Sequence, residues 1–336
     1  MVAVRIFLGG NIVNKTKNEV IRVIPLGGVG EIGKSMYVIE IDEELFVVDS
    51  GLMFPENEML GIDIVIPDIT YLEENKERVK GIFLTHGHED AIGSIAYVLK
   101  KIKAPVYGSK LTIALAKEHL KELPAPHQVK FFEVTNKSRM NFNRTYVTFF
   151  HTTHSIPDSL GVVFHTSEGA IVHTGEFKFD QSAKGKFRPD LAKMAQLGEE
   201  GVFMLLSEST EAERPGYTTS EIVIEERLAK TFHAAPGRIL VAVYASNFIR
   251  IQQVFTQAQH SFRKVAVVGK SLEKVIDLGV NLGYLEVDED TLISVSDIHK
   301  YQDDEIVILA TGNQGEPLDA LDKIVRKHHR DIKIKD

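Results

Sequence analysis

Short runs rich in Val, Ile and Phe limit this chain more than any other feature. Residues 20–24, 36–41, 45–49, 81–85, 146–151, 160–165 and 170–173 are too short for a buried helix, and their β-branched and aromatic residues suit a pleated surface. Several follow one another through tight turns such as Asp42-Glu43-Glu44, so neighbouring strands run antiparallel. Residues 92–101 and 111–122 carry apolar side chains at three- and four-residue spacing and read as helices outside that sheet. Beyond Arg214-Pro215-Gly216 the pattern changes. Helices over 219–233, 248–259, 271–282 and 318–329 alternate with strands over 239–245, 265–268 and 305–310, the mark of a parallel sheet with helices on its faces. The sequence thus divides near residue 212, with residues 1–19 as an N-terminal extension, 20–212 as a first domain and 213–336 as a second.

Composition narrows the chemistry. The sequence holds no cysteine, which excludes disulfides, thiol nucleophiles and every cysteine-based zinc site. A net charge of −8 is unlike that of a dedicated nucleic-acid binder, although a bound metal can supply positive charge locally. No secretory signal opens the chain and no apolar run reaches membrane-spanning length, so a cytoplasmic protein is expected. Lys100, Lys101 and Lys103, and the acidic runs 288–290 and 303–305, read as solvated faces and turns. The last residues, Ile332-Lys333-Ile334-Lys335-Asp336, read as a strand just beginning, which suggests a second domain cut short.

Gly28-Val29-Gly30-Glu31-Ile32-Gly33 matches the dinucleotide-binding fingerprint, whose physical basis is a helix N-terminus at the glycines. Met36-Tyr37-Val38-Ile39-Glu40-Ile41 follows, which is a strand. The motif therefore reads as a glycine-rich turn between two strands, one that lets backbone approach an active site closely.

The chemistry concentrates in His86-Gly87-His88-Glu89-Asp90, at the end of a strand and just before a helix expected to begin around Ala91. Alternate spacing lets His86 and His88 face one ion, and imidazole and carboxylate are good ligands for zinc and other divalent metals. Asp49, His154 and Glu176 also follow the ends of strands, where a sheet presents a site. His151 and His173 read as hydrogen-bonded loop residues or as outer support for ligands.

The order Asp49, His86-x-His88-x-Asp90, His154, Glu176 resembles the metallo-β-lactamase superfamily. The stretches 206–217, 244–252 and 311–317, with the glycines of 27–33, resemble β-CASP nucleases of the ribonuclease J type, and the departures below resemble their divergent second paralogue in Gram-positive bacteria. The resemblance covers the chain from about residue 20. It implies an α/β (α+β) fold: a metallo-β-lactamase αββα sandwich with a partial β-CASP α/β domain. It implies a metal-dependent phosphodiester hydrolase acting on RNA, a 5′-to-3′ exonuclease with possible endonuclease activity in RNA maturation and decay. His86, His88 and His154 match ligands of a first ion; Asp90 matches a ligand of a second; Glu176 stands where the family has a bridging Asp; Asp90 and Glu176 would be the catalytic carboxylates; Asp49 would support the metal loop. Glu208, Asn247, Arg250 and Gln314 are candidates for RNA contact, as are two helix starts.

Three departures temper that implication. Ala91 has no ligand atom where the family has a second-ion His. Glu176 is one methylene longer than Asp, so the bridge must refit. The remaining family motifs, including a late His ligand, fall beyond residue 336. Asp90 and Glu176 alone leave the second ion oxygen donors only, which favour Mn²⁺ or Mg²⁺ over the family's zinc and bind weakly. The expected protein is a weakened ribonuclease subunit working with an active paralogue as a hetero-oligomer, or with itself as a homodimer. An inactive structural or regulatory subunit is the alternative, and a small-molecule metallo-hydrolase a remote one, since the β-CASP-like half argues against it.

Overall fold

The computed structural model describes residues 5–6, 19–55, 59–311, 319–330 and 332. The chain forms two compact units, Met1–His154 with Asp158–Thr218, and Ser155–Pro157 with Thr219–Asp336.

The first unit is built on two six-stranded sheets. In one, Ile21–Gly27, Met36–Ile41 and Glu44–Val48 form an antiparallel meander, and Val79–Phe83, Val106–Gly108 and Phe131–Glu133 add to it in parallel. The other runs in the order Arg5–Ile6, Val202–Leu206, Gly169–His173, Leu160–Thr166, Tyr146–His151, Arg139–Asn141. It is antiparallel except where Gly169–His173 pairs with Val202–Leu206.

Met36–Ile41 and Glu44–Val48 are buried on both faces, so their side chains cannot alternate between core and water. One face packs on the second sheet. Ile39, Phe46 and Phe83 from the first sheet meet Phe149, Val162 and Phe164 from the second in one core, with Phe83 edge-on to Phe164 at 5.7 Å. Helices cover the outer faces: Lys110–Glu122 lies against the first sheet, and Leu197 of Leu191–Glu200 packs on Phe150, Val163 and Val172 of the second. The result is an αββα sandwich with mixed sheets, the fold class the sequence implied.

The helix expected over 92–101 is instead two pieces, Glu89–Ile92 and Ile95–Lys101. The break has a physical cause. The Ser94 N–H is diverted to the Ser50 carbonyl at 2.9 Å, the two serine hydroxyls pair at 2.9 Å, and Gly93 is pressed against the Leu52 side chain. The first piece also starts earlier than expected, with His88 at its N-terminal boundary and Ala91 inside it.

The second unit is a four-stranded parallel sheet in the order Ile239–Val243, Ile306–Thr311, Lys264–Val268, Leu292–Ile293. Helices Phe248–His260 and Lys270–Asn281 connect the strands, each with an apolar stripe turned inward. Ala266, Ile306, Ile308, Ile298 and Ile324 form its core. Among the described residues, no helix is long and apolar enough to cross a membrane.

Candidate metal centre

The site lies along one edge of the sandwich, where strand ends from both sheets deliver their loops. Beyond Val79–Phe83 come Thr85 and His86; beyond Glu44–Val48 comes Asp49; beyond Tyr146–His151 comes His154; beyond Gly169–His173 come Gly175 and Glu176. One backbone bond joins the sheets here, from the Leu160 N–H to the Thr85 carbonyl at 2.8 Å.

The loop 86–91 is held by main-chain bonds. Ser35, Ser50 and Leu52 donate their N–H groups to the carbonyls of Asp90, Ala91 and Glu89 at 2.7–2.9 Å. Gly51 is pressed against the Asp90 carbonyl so closely that a Cβ there would overlap it. Asp49 itself sits in the left-handed region at φ 62, which places its carboxyl under Thr85. Its Oδ1 accepts from the Thr85 N–H at 2.7 Å and its Oδ2 from the Thr85 hydroxyl at 2.9 Å. That hydroxyl also meets His86 Nδ1 at 2.8 Å. Having given its proton to Asp49, the hydroxyl can only accept from His86, so the ring proton sits on Nδ1 and Nε2 keeps its lone pair.

His86 Nε2 is buried and has no hydrogen-bond partner, an unusual state for a buried nitrogen. Around it gather the other donors. His154 Nε2 lies 3.0 Å from His88 Nδ1 and 3.2 Å from Glu176 Oε2, and His86 Nε2 lies 3.9 Å from the same Glu176 oxygen. One ligand atom from each of His86, His88, His154 and Glu176 falls within 4.8 Å of all the others. Asp90 stands beside this group, its Oδ1 3.7 Å from His86 Nε2 and its carboxyl hydrogen-bonded to that of Glu176. An orphaned buried nitrogen among imidazole and carboxylate donors fits a divalent metal ion.

The electrostatics agree. Burial pushes His86 well below the usual imidazole range, with His88 adding to the effect, and burial takes His154 down to about 4. All present neutral nitrogens, the form that ligates metal. Asp90 and Glu176 share a proton: burial and the Asp90 carboxylate push Glu176 up, while His86 and the bond from Glu176 hold Asp90 down despite its burial. Burial raises Asp49 well above the carboxylate range against its two bonds from Thr85.

Beside the cluster is a cavity of about 280 Å³ lined by Asp49, His86, Glu176, Glu208 and the glycine turn at Gly28, Gly30 and Gly33. The turn joins two strands, as its sequence suggested, and backbone does approach the site there. No Lys or Arg is among the described residues that line the cavity. Its acidic character therefore repels phosphate until a cation binds.

Other sequence candidates fall in several places. Glu208 lines the cavity, its Oε2 accepting from the Thr210 N–H at 2.8 Å. In the second unit, Asn247 Oδ1 accepts from the Arg250 N–H at 3.0 Å, capping its helix, and the Arg250 guanidinium bonds Gln253 and lies 3.5 Å from Glu221 Oε2. Gln314 lies outside the described residues. His173, read from sequence as loop or outer support, lines the cavity with its Nδ1 accepting from the Gly175 N–H at 3.1 Å. Thr85 escaped notice altogether, although its place directly before His86 was the available signal.

Comparison with known proteins follows the same lines. Residues 29–187 match the metallo-beta-lactamase superfamily and residues 236–336 match the family "Ribonuclease J, beta-CASP domain". The chain is 57% identical over 320 residues to Ribonuclease J 2 of Staphylococcus saprophyticus, covering 95% of this chain and 58% of that protein. It is 56% identical over 322 residues to Ribonuclease J 2 of Staphylococcus epidermidis, covering 96% of this chain and again 58% of the relative. The chain thus spans less than two thirds of the length of these curated relatives. Among solved structures, a protein of unknown function from Enterococcus faecalis superposes with a TM-score of 0.61 at 14% identity, over 88% of this chain and 78% of that one, a likeness of fold alone. With a metallo-β-lactamase domain and a ribonuclease J β-CASP domain in one sequence, the chain belongs to the ribonuclease J family.

Proposed function

We propose that this chain is part of an RNA-processing ribonuclease subunit, a 5′-to-3′ exonuclease with possible endonuclease activity, weakened at one metal position and working in the cytoplasm with an active paralogue. The observation that carries the reading is the pairing of an assembled first-ion group, His86, His88, His154 and Glu176, with a fully buried Ala91 beside it. The first group would hold one ion, with zinc favoured by its imidazoles; Asp90 and Glu176 would hold a second, weakly, and prefer Mn²⁺ or Mg²⁺. When bound, such ions polarise a phosphodiester and supply an activated water.

The protein's own groups do the rest. Asp49, through Thr85, would fix the tautomer of His86; Asp90 and Glu176 would provide the carboxylates at the reacting centre; the glycine turn would admit a phosphodiester backbone beside Glu208. Asn247, Arg250 and Gln314 are proposed as further RNA contacts in the second domain, whose junction with the first we place near residue 212. The second reading, a subunit without activity of its own that supports its paralogue, draws on the same buried Ala91.

The test is RNA degradation by full-length protein, alone and mixed with the paralogue, across Mn²⁺ concentration. The expected result is slow, Mn²⁺-dependent hydrolysis alone and faster hydrolysis in the mixture. Robust activity alone with two tightly held zinc ions would sink the reading.

A further inference from the structure

We infer that Glu176 closes the histidine site, so that the three imidazoles and one carboxylate oxygen surround a single ion and leave no corner for water. This rests on the proposal that the cluster binds metal, and it says what kind of site the cluster is. A tetrahedral zinc-class ion holds nitrogen and oxygen at about 2.0–2.2 Å, which separates neighbouring ligand atoms by about 3.3–3.5 Å. The separations here, 3.0 Å for His88 Nδ1 to His154 Nε2, 3.2 Å for His154 Nε2 to Glu176 Oε2 and 3.9 Å for His86 Nε2 to Glu176 Oε2, bracket that value. All four donors lie within 4.8 Å of one another, a group that includes Glu176 and leaves Asp90 outside. His86 Nε2, buried and without a hydrogen-bond partner, faces this centre.

Three histidines alone make an open site, with a fourth position for water; four protein ligands make a closed one. The extra methylene of Glu176 carries its carboxylate to the histidines while it still bonds Asp90. Ala91 offers no atom to a second ion that could draw the carboxylate back. The ion then acts as a clasp between loops of the two sheets, His86 and His88 from one and His154 and Glu176 from the other. Hydrolysis requires the Glu176 carboxylate to leave its corner first.

Cobalt(II) distinguishes the two geometries, because four-coordinate tetrahedral cobalt absorbs visible light far more strongly than five- or six-coordinate cobalt. Full-length protein, freed of metal and titrated with cobalt(II), is expected to take up one tightly held ion with intense bands. Glu176→Asp should keep that stoichiometry and lose most of the band intensity as water enters. Weak bands in the unaltered protein, or intense bands unchanged by Glu176→Asp, would overturn the closure while leaving the metal site standing. No bound cobalt, or binding unaffected by His154→Ala, would overturn the metal reading itself. The spectrum of the unaltered protein decides between open and closed even where the variant fails to fold.

Discussion

The Asp49 carboxyl and the His86 imidazole are joined through one hydroxyl, that of Thr85, which donates to Asp49 Oδ2 at 2.9 Å and meets His86 Nδ1 at 2.8 Å. A ligand imidazole thus owes its orientation and tautomer to a carboxyl it never touches. Thr85→Val keeps the shape and removes the relay. Metal affinity is expected to fall about 10–100-fold, the usual effect of losing such support. Thr85→Ser, which keeps the hydroxyl, should retain most of it. Isothermal titration with zinc would compare the three proteins, and equal affinity for the Val variant would refute the relay.

Gly51 and the metal loop make a separate case. A Cβ at Gly51 would overlap the Asp90 carbonyl and lie 2.6 Å from the Ser35 nitrogen, so the main-chain bonds that hold the loop must give way. Gly51→Ala should lower stability by about 1–3 kcal/mol through overpacking, and it should weaken metal binding along with it. Urea denaturation with and without zinc measures both, and a variant as stable as the parent would contradict the contact.

At Ala91 the question is gain rather than loss. Ala91→His would place a ligand atom beside Asp90 and is expected to tighten the second ion and raise hydrolysis of RNA. Ala91 is fully buried, so the larger ring also strains the core by about 1–3 kcal/mol. Metal stoichiometry by elemental analysis should be read beside thermal stability. A well-folded variant with unchanged metal content would move the defect to Glu176 or to RNA binding.

Far from the site, Glu40 gives a pH signature. Burial pushes its carboxyl up, but bonds from Arg78, Tyr71 and Arg22 more than offset this and hold it below its ordinary value of 4.5. A lowered folded pKa means that the carboxylate stabilises the fold above about pH 4.5 and that this contribution fades as pH drops through the folded value. Glu40→Gln should cost about 1–3 kcal/mol at pH 7, tempered because Arg22 and Arg78 reach solvent, and the gap should narrow in acid. Denaturation curves from pH 7 to pH 3 check this; a constant gap would argue against it.

What sequence made legible follows from range of interaction. Strands such as Met36–Ile41 and Tyr146–His151 declare themselves locally, and the glycine turn was separable from a nucleotide motif by the strand that follows it. The break at Gly93–Ser94 was not legible, because its cause is Ser50 and Leu52, far away in sequence. The place of His173 depends on Tyr37, whose ring meets it edge-on at 5.1 Å across the two sheets. Ligands were easier to find than their supports, because His86-x-His88 lies within one turn while Asp49 meets Thr85 only after folding.

The bond from Leu160 to Thr85 crosses between sheets at the very edge where the ligands gather. The metal centre is therefore a seam. Any fluctuation that parts the sheets must pull His154 and Glu176 away from His86 and His88, so opening of the fold and release of the ion become a single event. Holding the ion raises the free energy of that opening, and amide protons along Leu160–Thr166 would then exchange with solvent at a pace set by metal concentration.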